Sequence, residues 1–168
     1  MNVMSRSARY LGTGIVRVAL ALIAIALFGI ALDILSMPPL GFPSYLRLWG
    51  IGLIAIGLYL EAWATFGFWM HGVGTPHPAS PPNQLVDRGP YRYSRNPLYL
   101  ARLLILTGLG VSLSSLGVMT MALVMAVILE LILVPREERR LEARFGNAYR
   151  EYRRRVPRWL WIGKRFVR

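Results

Sequence analysis

Four apolar segments dominate this sequence, and each approaches the ~20 residues that an α-helix needs to cross the hydrocarbon of a bilayer. They cover residues 15–35, 46–69, 98–114 and 116–134. Hydrophobic residues make up 55% of the chain and charged residues only 17%, which is too little charge for the surface of a soluble domain. The sequence therefore predicts an all-α fold, a polytopic membrane helix bundle of four transmembrane helices that forms one domain over residues 1–168.

The basic residues give the orientation of these helices. If four helices alternate, the N-terminal Arg6 and Arg9, the arginines of the loop at 70–97 and the Arg-rich tail fall on one side, and Arg47 falls on the other. The positive-inside rule then places both termini and the loop in the cytoplasm. We expect an integral protein of a bacterial or archaeal cytoplasmic membrane. The net charge of +12 indicates anionic membrane lipids as partners.

Three acids fall within or beside the apolar segments. Asp33 is near a helix end, and we expect it to reach the outer headgroups. Glu61 and Glu130 are deeper, where a carboxylate is costly unless it is paired, protonated or in contact with water. Each is either a neutral side chain hydrogen-bonded between helices or part of a cavity that binds substrate. Arg102 is placed to snorkel to the interface or to pair with one of them.

The loop at 70–97 and the tail carry the remaining signals. The loop is long and rich in Pro, Gly, Arg and Tyr, which is typical of a functional loop.

In the tail, the sequence predicts one basic amphipathic helix over 136–156, lying on the inner membrane face or packing back on the loop. Its apolar stripe consists of Leu141, Phe145, Tyr149, Tyr152 and Val156. Glu137 and Glu138 lie on the same side of the helix as this stripe, where they could contact a ligand. Alternatively, they are acidic residues at a helix start after Pro135, where they interact favourably with the helix dipole.

Two sequence blocks flank the third and fourth segments. The loop carries Gly89-Pro-Tyr-Arg-Tyr-Ser-Arg-Asn-Pro-Leu-Tyr99, and the tail carries Glu137-Glu138, Leu141, Phe145-Gly146 and Val156-Pro-Arg-Trp159. An Arg-Asn-Pro element in the loop, followed after the last span by a Glu-Glu pair, resembles the isoprenylcysteine carboxyl methyltransferase and phospholipid methyltransferase group of membrane enzymes. The resemblance implies a methyltransferase that uses S-adenosylmethionine at the cytoplasmic ends of its helices. It also implies a lipid-like or amphiphilic acceptor, whose methylated atom stays open between carboxyl oxygen, nitrogen and sulfur.

The resemblance also assigns roles to individual residues. Arg95 is expected to grip the cofactor carboxylate, and Glu137 or Glu138 to accept from its amino group or ribose. Arg95 and Glu137 are the expected catalytic residues, and Glu61 and Glu130 are the candidate substrate residues. The expected cofactor-binding residues are Asn83, Gln84, Leu85, Val86, Tyr91, Arg95, Asn96, Pro97, Leu98, Tyr99, Glu137 and Glu138.

Three positions depart from the family pattern. Asn96 stands where the eukaryotic carboxyl methyltransferases carry His, which excludes an imidazole as a required base at that point. Ala101 replaces a frequent Gly, and Leu133 replaces an Arg that is linked to substrate in the prenylcysteine enzymes. The departures argue against a prenylcysteine carboxylate as the acceptor.

Other classes of function fit the sequence less well. The chain has no Cys, and its two His residues both lie in the loop, so we expect no metal site. A nucleic-acid partner is not expected, because the Arg-rich tail carries an apolar stripe. The alternative to an enzyme is a membrane scaffold or transporter subunit with a lipid-binding basic tail.

Overall fold

The computed structural model describes residues 3–36, 40–70 and 85–160, and within them the regular structure is helical. The helices are α1 (Val3–Ser36), α2 (Ser44–Met70), α3 (Pro97–Leu113), α4 (Leu116–Ile128), α5 (Val134–Phe145) and α6 (Asn147–Arg155). A short 3-10 turn, Gly89–Arg92, precedes α3, and a π-helical turn, Leu129–Leu133, joins α4 to α5. The all-α membrane helix bundle is confirmed for this part of the chain.

Helix α2 packs along α3, and α1 packs along α4. Small residues let α2 and α3 approach closely, as is common between membrane helices. A Cβ atom built on Gly108 of α3 would lie only 2.6 Å from the carbonyl oxygen of Gly50 on α2. One built on Gly57 of α2 would lie 2.8 Å from the carbonyl oxygen of Ala101. Ala101 is therefore at a close crossing of the two helix backbones.

Asp33, close to the C-terminal end of α1, contacts the start of α4. It accepts hydrogen bonds from the hydroxyl of Ser115 and from the backbone N–H of Gly117 at 2.6 Å, both at the start of α4. The Ser115 hydroxyl also accepts from the N–H of Val118 at 3.0 Å. The carboxylate of α1 thus helps to cap α4, because the first N–H groups of a helix have no partner within the helix. A tight turn at Ser114–Ser115 therefore joins α3 to α4.

Three helical stretches in the described residues are long and apolar enough to cross a membrane: Thr13–Leu35, Ser44–Gly67 and Leu116–Phe145. The remaining apolar helix, α3, has 17 residues, so the predicted count of four crossings stays a prediction. Large apolar side chains point away from the bundle on these helices, as expected for lipid contact. Among them are Leu20, Leu27, Ile34, Leu48, Leu58, Leu123 and Leu131.

Pro135 does not begin a new helix. The helical chain runs without interruption from Leu116 to Phe145, and the backbone N–H of Val134 bonds to the carbonyl of Leu129, five residues earlier. A proline removes one N–H and clashes with the carbonyl four residues before it, and a wider π turn relieves that clash. The segment predicted to end at residue 134 is thus followed without a break by α5, whose first turn contains Pro135 and Glu137.

The single tail helix predicted over 136–156 is instead two helices. Gly146 separates α5 from α6, with φ of 53° and ψ of −123°, a conformation that residues with a Cβ atom rarely adopt. Because the chain bends at Gly146, the residues of the predicted apolar stripe form a small core of the tail and do not line one straight helix. Tyr149, Tyr152 and Val156 are buried, and Leu85, Leu141 and Phe145 pack against them. The tail thus packs back on the loop, which is one of the two arrangements predicted from the sequence.

Candidate active site

The end of the tail holds the Arg-Asn-Pro element of the loop. The backbone N–H of Arg95 donates to the carbonyl of Pro157 at 3.0 Å, and the Asn96 side-chain amide donates to the carbonyl of Arg158 at 3.0 Å. The Ser94 hydroxyl donates to the same Arg158 carbonyl at 3.3 Å. Asn96 is thus buried in a positioning role, and α3 begins at the next residue, Pro97, where a missing N–H costs least.

Charged side chains alternate in a chain of contacts beside this element. Nη1 of Arg95 donates to Oε1 of Glu138 at 2.7 Å. Arg158 reaches the same carboxylate through Nε at 3.2 Å and Nη2 at 2.9 Å, and its Nη1 donates to Glu130. The indole N–H of Trp159 donates to the other oxygen of Glu130 at 2.7 Å. The order is therefore Arg95, Glu138, Arg158, Glu130, with Trp159 at the end.

Arg95 and Glu138 form the buried part of this chain of contacts. Their side chains keep only 9% and 8% of their surface exposed. Both Glu138 oxygens are engaged by the two arginines, whereas the Nε of Arg95 is buried and has no hydrogen-bond partner among the described atoms. A buried guanidinium nitrogen without an acceptor is costly. Arg95 is thus a buried cation whose Nε is still available as a donor.

Glu137 and Glu138 face different surroundings, although they are adjacent. The sequence places both on the inner side of the tail, and this holds for Glu138 alone, since Glu137 is exposed. Oε2 of Glu137 accepts a hydrogen bond from the Tyr99 hydroxyl at 2.7 Å. The helix rotation of about 100° per residue explains the difference. Glu137 is thus a carboxylate at the rim, oriented by a tyrosine from the first turn of α3.

Glu61 and Arg102 form a second polar group between α2 and α3. Nη2 of Arg102 donates to Oε1 of Glu61 at 3.1 Å, with side-chain exposures of 18% and 22%. The guanidinium of Arg102 also lies 5.7 Å from the centre of the Tyr99 ring. The other oxygen of Glu61 and the Nε of Arg102 are buried and have no hydrogen-bond partner in the part of the chain that the structure describes. The expectation that Arg102 pairs with an intramembrane acid is confirmed for Glu61.

Tyr91 lies between the two charged groups. Its ring is buried, its carbonyl accepts from the Tyr152 hydroxyl at 2.7 Å, and the charges of Glu137, Glu61 and Arg102 all act on its hydroxyl. Burial, with a smaller contribution from Tyr152, raises the pKa of Tyr91 well above its ordinary value. Burial likewise raises the pKa of Tyr152, and the neighbouring Arg95 opposes that rise. These phenols are therefore neutral at physiological pH.

The structure brings most of the predicted site residues to one end of the bundle. Arg95, Tyr99, Glu137 and Glu138 are linked by the contacts above. Three further predicted residues, Leu85, Val86 and Leu98, are half-buried, and Pro97 is buried. Asn83 and Gln84 lie outside the described residues. Glu130 is held by Arg158 and Trp159, and among the described residues no group of three acids or histidines is arranged to hold a metal ion.

Arg158 and Trp159 received no role in the sequence analysis. They are in the Val156-Pro-Arg-Trp159 block that carries part of the resemblance, so the motif itself was the available signal. Their partners Glu138 and Glu130 are 20 and 28 residues away from Arg158, and no local periodicity relates those positions. The contact depends on the chain reversal at Gly146.

The sequence profile of the phospholipid methyltransferase family matches residues 46–148. The chain belongs to this family. The match extends from α2 through α3, α4 and α5 into the start of α6, and so includes Glu61, Arg95, Tyr99 and both tail glutamates. The long apolar helices of the described residues indicate an integral membrane protein, as the phospholipid methyltransferase family match also suggests.

Two curated proteins share part of the sequence of this phospholipid methyltransferase family member. A cobalt-zinc-cadmium resistance protein, CzcN of Cupriavidus metallidurans, is 43% identical over 75 residues, which are 45% of this chain and 34% of that protein. The match thus spans about a third of the length of CzcN. An uncharacterized protein of Haemophilus influenzae is 40% identical over 67 residues, which are 38% of this chain and 100% of that protein.

Proposed function

We propose that this protein is an S-adenosylmethionine-dependent methyltransferase that acts on a lipid-like acceptor at the cytoplasmic face of the membrane. The observation that carries the proposal combines two side chains. Arg95 is buried, its Nε has no hydrogen-bond partner among the described residues, and it pairs with Glu138. The preceding residue in the chain, Glu137, is a carboxylate at the rim held by Tyr99. A cation and an anion so placed are complementary to the carboxylate and the ammonium or ribose hydroxyls of this cofactor.

The residues present fit the cofactor in three respects. Arg95 offers a donor for a carboxylate, and Glu137 offers an acceptor for an ammonium group or a ribose diol. The ring of Tyr99 already lies against one cation, Arg102, and aromatic faces also stabilise sulfonium-type cations. Glu138 is saturated by two arginines, so we assign to it the orientation of Arg95 and not a direct contact.

The chemistry that the bound cofactor supplies is an electrophilic methyl group. The protein needs only to align the acceptor with that group and to exclude water. Arg95 and Glu137 fix one reactant, while the low exposure around Tyr91 and Arg95 keeps solvent away from the site. Their contribution is orientation, which is worth several kcal/mol in well-ordered sites.

Glu61 and Arg102 are our candidates for the acceptor side. They lie between two apolar helices, and each has one buried polar atom that no described residue engages. An amphiphile that enters from the bilayer can keep its tail in lipid and place its polar end against this pair. Both oxygens of Glu130, by contrast, are engaged by the tail, so Glu61 alone is carried into the proposal as a substrate residue.

The experiment is transfer of labelled methyl from S-adenosylmethionine by detergent-purified protein. A membrane-lipid extract and a small-molecule extract serve as parallel acceptors, and Arg95→Ala protein serves as the inactive control. We expect label in the lipid extract alone. Label only in water-soluble products contradicts the lipid acceptor, and no transfer together with no cofactor binding favours the scaffold or transporter alternative.

A further inference from the structure

Arg158 occupies the centre of the alternating charges that support Arg95. It donates to both oxygens of Glu138, at 3.2 and 2.9 Å, and to Glu130. Its own backbone carbonyl accepts from Asn96 and Ser94. One residue of the tail therefore contacts the π turn, α5 and the Arg-Asn-Pro element at once.

The charges in this group balance. Two arginines, Arg95 and Arg158, face two glutamates, Glu138 and Glu130, so the formal sum is zero. The inner pair is nearly buried, with exposures of 9% and 8%, whereas Arg158 and Glu130 keep 27% and 43%. Buried ion pairs interact strongly and leave a large penalty when one member is removed, but half-exposed pairs are screened by solvent. The contact of Arg158 with Glu138 therefore matters more than its contact with Glu130.

We infer that Arg158 is a positioning residue that keeps Arg95 available to an anionic group of the ligand. Without Arg158, Arg95 is the one cation among the described residues that still pairs with Glu138, and the group of Arg95, Glu138 and Glu130 carries a net charge of −1. The stronger hold of Glu138 on Arg95 and the negative net charge both weaken the binding of a ligand carboxylate at Arg95. The inference rests on the proposed function, because it assumes that Arg95 binds the carboxylate of the cofactor.

This role differs from that of a residue that merely holds the tail in place. A purely structural arginine affects every ligand of the site alike, and removing either of its acidic partners has a similar effect. An electrostatic positioning role affects ligands that carry the carboxylate and spares those that lack it. It also gives Arg158 and Glu130 different effects, since loss of Glu130 leaves the group more positive.

The experiment compares two nucleosides by calorimetry on the purified full-length protein. S-adenosylhomocysteine carries the amino-acid carboxylate, and methylthioadenosine lacks it. The variants are Arg158→Gln, Arg158→Lys and Glu130→Gln. Arg150→Gln is the matched control, because Arg150 is a tail arginine paired with Glu142 at the surface, with 61% of its side chain exposed. The melting temperature of each ligand-free variant checks the fold.

We expect Arg158→Gln to weaken S-adenosylhomocysteine binding about tenfold while methylthioadenosine changes less than about twofold. Arg158→Lys retains the charge without the two-nitrogen contact, so its loss of affinity should be smaller. Glu130→Gln and Arg150→Gln should bind S-adenosylhomocysteine as tightly as the wild type does.

Three results overturn the inference while the proposed function stands. They are equal loss of both nucleosides in Arg158→Gln, unchanged S-adenosylhomocysteine binding in Arg158→Gln and Arg158→Lys, and a loss in Glu130→Gln as large as in Arg158→Gln. Failure of the wild type to bind either nucleoside contradicts the proposed function itself, and the inference with it.

Discussion

The Tyr99 hydroxyl donates a hydrogen bond to Oε2 of Glu137 at 2.7 Å, so the first turn of α3 is joined to the first turn of α5. The two residues are 38 positions apart in the sequence, and the membrane-crossing part of α4 lies between them. A hydrogen bond to a carboxylate is stronger than one between neutral groups. It fixes the direction in which an otherwise exposed Glu137 can accept from a ligand.

Removing this bond should weaken cofactor binding through Glu137. We expect Tyr99→Phe to raise the Kd for S-adenosylhomocysteine about fivefold, which corresponds to ~1 kcal/mol, because an unrestrained carboxylate loses entropy on binding. Glu137→Ala should raise it more than about tenfold. Calorimetry on the double variant provides the control: its loss should equal that of Glu137→Ala alone. Additive losses contradict the claim that Tyr99 acts through Glu137.

Arg95→Ala should also weaken S-adenosylhomocysteine binding more than about tenfold, or 1.4 kcal/mol. The variant removes the buried cation with an available donor and leaves Glu138 paired with Arg158. Arg150→Ala, which breaks an exposed pair in the same tail, should bind normally. Unchanged affinity in Arg95→Ala, measured by the same calorimetry, removes this residue from the cofactor site.

Two glycines of the bundle should respond in opposite ways to alanine. At Gly108, a new Cβ meets the Gly50 carbonyl at 2.6 Å, whereas at Gly52 it meets nothing within 4 Å. Gly108→Ala should therefore destabilise the packing of α3 on α2 by about 1–3 kcal/mol. Gly52→Ala should be neutral or stabilising by up to ~1 kcal/mol, since alanine favours helix. Thermal unfolding in detergent tests both variants, and equal melting temperatures contradict the close approach.

Alkaline pH should destabilise the tail. Burial raises the pKa values of Tyr149 and Tyr152 above their ordinary value near 10. The folded state then keeps protons that the unfolded state releases, so this contribution to stability is complete below pH ~10 and is lost as the pH rises further. Circular dichroism, followed between pH 8 and 12 in steps of about half a pH unit, should show helical structure decreasing from pH ~10 upward.

A single substitution separates this effect from general alkaline unfolding. Tyr152→Phe removes one titrating phenol and its hydrogen bond to the Tyr91 carbonyl, so it should lower stability at pH 8 by ~1 kcal/mol. It should also reduce the further loss above pH ~10. Tyr45→Phe, at a residue with 62% exposure, should change neither quantity. An unreduced alkaline loss in Tyr152→Phe contradicts the assignment.

Reporter fusions should place the two ends of the bundle on opposite sides of the membrane. The N–H of Leu40 bonds to the carbonyl of Ser114 at 3.2 Å, so these positions share one end. Fusions after Leu40 and at Ser115 should report the exterior, and fusions at Ser80 and Arg168 the cytoplasm. A cytoplasmic signal at Leu40 contradicts four alternating crossings.

Several features of the site were predictable from the sequence because they depend on local spacing or on a motif. The order of Arg95, Asn96 and Pro97 before an apolar segment indicated a loop that leads into a helix, and α3 does begin at Pro97. The apolar spacing from Leu141 to Val156 correctly indicated which tail side chains join the tail core, as buried or partly buried residues, although not that Gly146 divides the helix. The sequence predicted that both Glu137 and Glu138 face inward, but their adjacency could not show that only Glu138 is buried.

The sequence by itself determined that this is an α-helical membrane protein of the phospholipid methyltransferase family. The length of an apolar segment and the order of residues in a motif are properties of the chain alone. Only the tertiary structure decided the partners of the charges: Glu138 with Arg95 and Arg158, Glu61 with Arg102, and Asp33 with the start of α4. These contacts join residues 20 to 84 positions apart. A carboxylate in an apolar bundle must find a donor, but which donor it finds depends on where the helices cross and where the chain turns back.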